Sequence, residues 1–124
     1  MASKVALTSA LFDQFISFLS ELEDMYPNDT DFPVFSTSIK LLKSANPSIL
    51  AKYIRENTSG FEDKIMNKDE EFFLTNDFND YSGYVDMNIF GKLKQYVKTM
   101  SPSSKENVWK YCQNIVRLSK ACQS

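Results

Sequence analysis

Residues 9–26, with the sequence SALFDQFISFLSELEDMY, decide the fold class of this chain. Their apolar side chains recur at steps of three and four residues, which places them along one face of a helix. The stripe consists of Leu11, Phe12, Phe15, Ile16, Leu19, Leu22 and Tyr26. Phe18 lies off the stripe, so the pattern allows it either to widen the buried face or to be exposed. Pro27 ends the predicted helix, because the residue before a proline disfavours the helical conformation.

The same helical spacing returns along the rest of the chain. Further helices are predicted to begin at Asp31, at Asn46–Pro47, at Phe61, at Asp86 and at Ser103. Asp31, Asn46 and Asp86 are suitable N-caps, and Ser103 followed by Glu106 predicts a capping box. The fourth of the six helices covers residues 61–67, and the sequence leaves open a restart at Asp69. Residues 76–83 predict a loop.

No stretch alternates in the manner of a sustained strand, although residues 81–85 allow a short extended piece. The sequence therefore predicts an all-α protein, a single compact bundle of five to six helices. The 124 residues fit one domain, residues 1–124, and the hydrophobic content of 43% excludes wholesale disorder.

Composition also restricts the chemistry. The chain contains no histidine, which removes the most frequent general base and transition-metal ligand. It has two cysteines, Cys112 and Cys122, on the apolar side of the last helix, where a thiol usually acts as a small buried hydrophobe. No apolar run approaches the roughly 18 residues of a membrane span, and the N-terminus lacks the pattern of a secretory signal.

Two stretches of the sequence contain candidate ligand or catalytic residues. Asp69, Glu70 and Glu71 are candidates for acid–base work or a hard metal ion, but such a run is more typical of the first turn of a helix. Residues 78–89 resemble a calcium loop only in part, because its first and last positions lack carboxylates. No nucleotide or zinc motif occurs. The sequence predicts no enzymatic activity, no cofactor and no metal site.

Charge is distributed unevenly along the chain. Acids dominate residues 13–31 and 56–86, whereas the residues from Phe90 onward carry a single acid, Glu106, among many bases. One interpretation is a solvated face whose charge balances acids of the same molecule. The other is a docking surface for an acidic partner or for phosphates. The candidate partner-binding residues are Lys94, Lys98, Lys110, Arg117 and Lys120.

Three segments also carry a resemblance: residues 61–74 (FEDKIMNKDEEFFL), 93–97 (LKQYV) and 103–111 (SSKENVWKY). Together they resemble short, uncharacterised helical proteins of large nucleocytoplasmic DNA viruses that infect algae and amoebae. The resemblance implies a viral protein of the host cytoplasm or of the virion. The resemblance implies no activity and no functional residue for this chain.

These observations lead to two hypotheses of function. The first is a non-enzymatic cytoplasmic protein that binds another protein, or a second copy of itself, through an apolar patch or the basic C-terminal helix. The alternative is a small nucleic-acid-associated protein that places the basic C-terminal residues on phosphates.

Overall fold

The structure is a computed structural model and describes residues 3–58, 60, 62–75 and 89–122. These residues form helices and no strand, which confirms the all-α prediction. The helices are α1 (Lys4–Met25), α2 (Asp31–Ala45), α3 (Ser48–Thr58), α4 (Glu62–Met66), α5 (Glu70–Thr75), α6 (Ile89–Val97) and α7 (Pro102–Cys122). The predicted loop over residues 76–83, the extended piece over 81–85 and the cap Asp86 lie outside the described residues.

Within the described part of the chain there are seven helices, where the sequence predicts five to six. The additional helix arises because α4 and α5 are separated at Lys68, whose φ of 56° lies in the left-handed region. The end of α4 closes through the Asp69 N–H, which donates to the Lys64 carbonyl at 2.9 Å. The Asp69 carboxylate then accepts from the Phe72 N–H at 3.0 Å and caps α5. This is the restart that the sequence leaves open.

The helices α1 and α7 hold the fold together. The former packs against α2, α3 and α7, and the latter also packs against α3 and α4. The first helix begins at Lys4, upstream of the predicted start, because the Ser3 hydroxyl accepts from the Ala6 N–H at 3.1 Å and caps it. Phe18 is 2% exposed and stacks on Tyr111 with the ring centroids 5.1 Å apart, so it widens the buried face.

Three predicted helix starts are wrong by one or two residues. At α7 the cap is Ser101 rather than Ser103, because Pro102 occupies the first helical position that proline favours. The Ser101 hydroxyl accepts from the Ser104 N–H at 3.2 Å.

The predicted cap of the second helix, Asp31, is instead its first residue. The N–H of Asp31 donates to the Asp29 carboxylate at 2.9 Å, so the capping oxygen comes from the preceding turn. The third helix begins at Ser48, and Pro47 lies in the turn before it. Asn46 contacts this start through its side-chain oxygen, which accepts from the Ser48 hydroxyl at 3.0 Å.

Every described helix contributes to one cluster of buried apolar side chains. Its largest fully buried members are Tyr53, Phe12, Phe15, Phe32, Leu11, Leu19, Leu22, Ile39, Leu50, Ile54 and Ile65. Cys112 and Cys122 are buried in the same cluster and form no disulfide, which confirms that both lie on the apolar side of α7. The predicted stripe of α1 therefore forms part of the protein core.

A polar contact attaches α6 to the turn between α1 and α2. The Tyr96 hydroxyl donates to the Asp29 carboxylate, and the Lys92 ammonium lies 3.1 Å from the same carboxylate and also pairs with Asp31. The Tyr96 ring stacks on Tyr26 with the centroids 3.8 Å apart. A charged hydrogen-bond network and an aromatic stack therefore hold α6 against this turn.

Length and composition alone would allow α1 to cross a membrane. The same length and composition are found in core helices of soluble proteins and in signal sequences. In this structure Leu11, Phe12, Phe15, Phe18, Leu19 and Leu22 of α1 are buried among the other helices. The helix as described is therefore a core element.

Candidate functional site

Four of the five candidate basic residues lie on two helices, and the fifth lies in a turn. Lys94 belongs to α6, which attaches to the α1–α2 turn, and Lys98 lies in the turn directly after α6, whereas Lys110, Arg117 and Lys120 belong to α7. All except the partly exposed Lys94 are exposed to solvent. The structure therefore places the candidates at the surface but distributes them over separate elements.

Several bases of the C-terminal third pair with acids elsewhere in the chain. Besides the Lys92 pairs, the Lys105 ammonium lies 3.0 Å from Glu70 on α5, and the Lys120 ammonium lies 3.1 Å from Glu62 on α4. These ion pairs join the basic third to the acidic middle of the sequence. They agree with the interpretation that charges of opposite sign balance one another within the molecule.

Two of the candidates line a shared groove between α3, α4 and α7, with a volume of about 660 Å³. Arg117 and Lys120 enter it from α7, and Arg55 enters from α3. Glu62 and Asp63 line the same groove, and the Glu62 carboxylate lies between the Lys120 ammonium and the Arg55 guanidinium, 3.9 Å from the latter. The cations of this groove are thus partly neutralised by the protein itself.

Lys110 lies in a different groove, between α7 and α1, which it lines together with Glu21 and Tyr111. Burial and a hydrogen bond to Glu21 raise the pKa of the Tyr111 phenol above its ordinary value. The described residues therefore do not join the five candidates into one basic surface.

A third groove has a different character, because its surface is formed mostly by carbon atoms, although five of its lining residues also carry polar groups. It lies between the first turns of α1 and the junction of α2 with α3, and its volume is about 450 Å³. We call it the apolar groove. Its lining residues are Lys4, Val5, Thr8, Ser9, Phe12, Lys43, Pro47 and Ser48. Val5 is 81% exposed, the highest value among the large apolar side chains described as exposed.

The apolar groove was not predicted from the sequence, because the predicted first helix begins at residue 9 and leaves out Lys4, Val5 and Thr8. The sequence nevertheless indicates the α1 side of this groove. Val5 precedes Phe12 by seven residues, so both lie on the same face of the helix. The contribution of Pro47 and Lys43 has no local signal, since it depends on how α2 and α3 fold back against α1.

Two of the three carboxylates predicted as candidates for catalysis or metal binding have structural partners, and the third, Glu71, is exposed on α5. Asp69 caps α5, and its carboxylate lies 3.8 Å from the Lys64 ammonium. Glu70 pairs with Lys105. Burial raises the pKa of the Cys112 thiol to about 12, which suppresses the reactive thiolate. Among the described residues no group of three or more carboxylates, thiols or imidazoles is arranged to hold a metal ion.

No protein-family model matches this chain, and neither a curated protein nor a solved structure shows significant similarity to it. The resemblance to proteins of large DNA viruses therefore stays a prediction from the sequence.

Proposed function

We propose that this chain is a single helical domain, residues 1–124, that acts without catalysis by binding another protein. The apolar groove carries this proposal, because an open, apolar-lined concavity is the form in which many proteins accept a partner. The exposed Val5 side chain at its edge gains from burial only when another molecule covers it.

Site-specific photo-cross-linking tests this proposal. A photoreactive phenylalanine analogue replaces Val5, and a control protein carries it in place of Val34. The control is matched, because Val34 is also an exposed valine, at 57%, but lies on α2 and does not line the apolar groove. We expect a discrete protein adduct from position 5 in the native host cell and none from position 34. Equal labelling at both positions, or no adduct at either, would contradict the proposal.

Nucleic-acid binding by Lys94, Lys98, Lys110, Arg117 and Lys120 receives less support. The two grooves that contain the α7 candidates also contain carboxylates, which repel a phosphate backbone. If the alternative were correct, the protein would retard DNA or RNA at low salt, and Lys110→Glu combined with Arg117→Glu would abolish retardation. We expect no retardation of either nucleic acid by the unmodified protein.

A further inference from the structure

We infer that the apolar groove binds a short amphipathic helix of a partner protein, with carboxylates on the rim of that helix directed at Lys4 and Lys43. This inference rests on the proposed function and adds the chemistry of the partner. It depends on two independent properties of the groove, its dimensions and the sign of the charge beside it.

The dimensions of the groove fit a helix. Along α1 the lining residues Val5, Thr8, Ser9 and Phe12 follow the spacing i, i+3, i+4, i+7, so this wall extends about 10 Å along the helix axis. Phe12 is fully buried and forms the floor, whereas Val5 is exposed at one end. About two turns of a partner helix match this length, and its own residues at i, i+3, i+4 and i+7 would meet Val5 and the carbon atoms of Thr8 and Ser9, with Phe12 beneath them.

The charge beside the groove selects an acidic partner. Lys4 on α1 and Lys43 on the last turn of α2 are the ionisable residues of the lining. The Lys43 ammonium lies 3.7 Å from the Asp13 carboxylate, but both side chains are largely exposed, at 44% and 73%. An exposed pair of this kind is weak, so a partner carboxylate can replace Asp13 at little cost.

The same lysines argue against a symmetric dimer through this face. In a two-fold arrangement the groove of one copy would meet the groove of the other, and the four ammonium groups would be brought together in an apolar interface. Like charges at such an interface oppose association. A separate acidic helix is therefore the occupant that the groove favours.

Fluorescence anisotropy with two labelled peptides tests the inference. The first is an amphipathic peptide of about 15 residues, with leucine at the apolar positions and glutamate at the others, long enough to form a helix on binding. The second has every glutamate replaced by glutamine. We expect saturable binding of the glutamate peptide and about tenfold weaker binding of the glutamine peptide, because the ion pairs with Lys4 and Lys43 are lost.

Three variants locate the binding. Lys4→Glu with Lys43→Glu should weaken the glutamate peptide by about tenfold or more and leave the glutamine peptide less affected. Val5→Asp should abolish binding of both peptides. The matched control Val34→Asp should bind like the unmodified protein, and circular dichroism establishes that each variant is folded.

Some results of these experiments would contradict the acidic helix as the occupant without contradicting the proposed function. Equal affinity for the two peptides, or equal loss in Val5→Asp and Val34→Asp, would overturn the acidic helix as the occupant. Binding of neither peptide would also overturn it, while a protein adduct specific to position 5 would leave the proposed function standing. Association with phosphatidylserine vesicles, abolished by Val5→Asp and unaccompanied by peptide binding, would assign the groove to a lipid surface and overturn the inference.

Discussion

At the scale of single residues, Asp29 links the turn after α1 to both α2 and α6. No pattern in the sequence indicates this role. Its carboxylate accepts from the Tyr96 hydroxyl, the Asp31 N–H and the Lys92 ammonium, and the hydrogen bond from Tyr96 is the main cause of its lowered pKa. A lowered folded-state pKa means that ionised Asp29 stabilises the fold at pH values above the unfolded value of 3.8. This contribution is lost as the pH falls through the lower pKa of the folded state.

We expect Asp29→Asn to lower the free energy of unfolding by about 1–2 kcal/mol near neutral pH, because charged hydrogen bonds are replaced by weaker neutral ones. The difference between the variant and the unmodified protein should shrink as the pH falls below 3.8. Urea denaturation at several pH values measures both effects. Asp24→Asn, at an exposed position of α1, is the control and should change stability little. A difference that does not depend on pH would contradict the assignment.

The Cys112 thiol should be unreactive in the folded protein. With its pKa raised to about 12, only about one molecule in ten thousand carries the thiolate near pH 8, and the side chain is 4% exposed. Iodoacetamide should therefore modify Cys112 only in urea, as measured by mass spectrometry of the peptide that contains it. Rapid alkylation without denaturant would show that α7 opens readily from the core.

At the scale of helices, the start of α7 gives a test that distinguishes the structure from the sequence pattern. The pattern assigns the cap to Ser103, whereas in the structure the Ser101 hydroxyl accepts the Ser104 N–H. We expect Ser101→Ala to cost about 1 kcal/mol in the free energy of unfolding and Ser103→Ala to cost much less. Urea denaturation of the two single variants measures both losses. A larger loss of unfolding free energy for Ser103→Ala would show that Ser103 is the cap, as the sequence pattern predicts.

Helix type was predictable from the sequence because periodicity extends over many residues, but helix ends were not. Between Leu11 and Tyr26 many residues independently indicate the same buried helix face. One residue that departs from the pattern therefore does not change the prediction of a helix. A cap depends on one side chain, and at the start of α7 three serines compete within four positions. The favourable placement of Pro102 decides between them.

At the scale of the whole molecule, the sequence shows which residues are basic but not which acids they meet. Lys120 and Glu62 are distant in the chain and come together only because α4 packs against α7. The apolar groove likewise needs α1 and the α2–α3 junction to be side by side. Ion pairs and grooves depend on tertiary packing, so a local pattern indicates at most the α1 side of the apolar groove and none of the residues that α2 and α3 add to it.

The packing of all seven described helices into one apolar cluster predicts that the molecule unfolds as a unit. The single tryptophan, Trp109 on α7, packs edge-on against Phe73 of α5 with centroids 5.8 Å apart, so its fluorescence reports on that contact. Ile39 lies on α2, which packs against α1 and α3. We expect Ile39→Val to cost about 1 kcal/mol and to shift the urea transitions measured by Trp109 fluorescence and by circular dichroism equally. Two separate transitions, or a shift seen by circular dichroism alone, would show that α2 and α7 belong to independently folding units and would contradict a single domain.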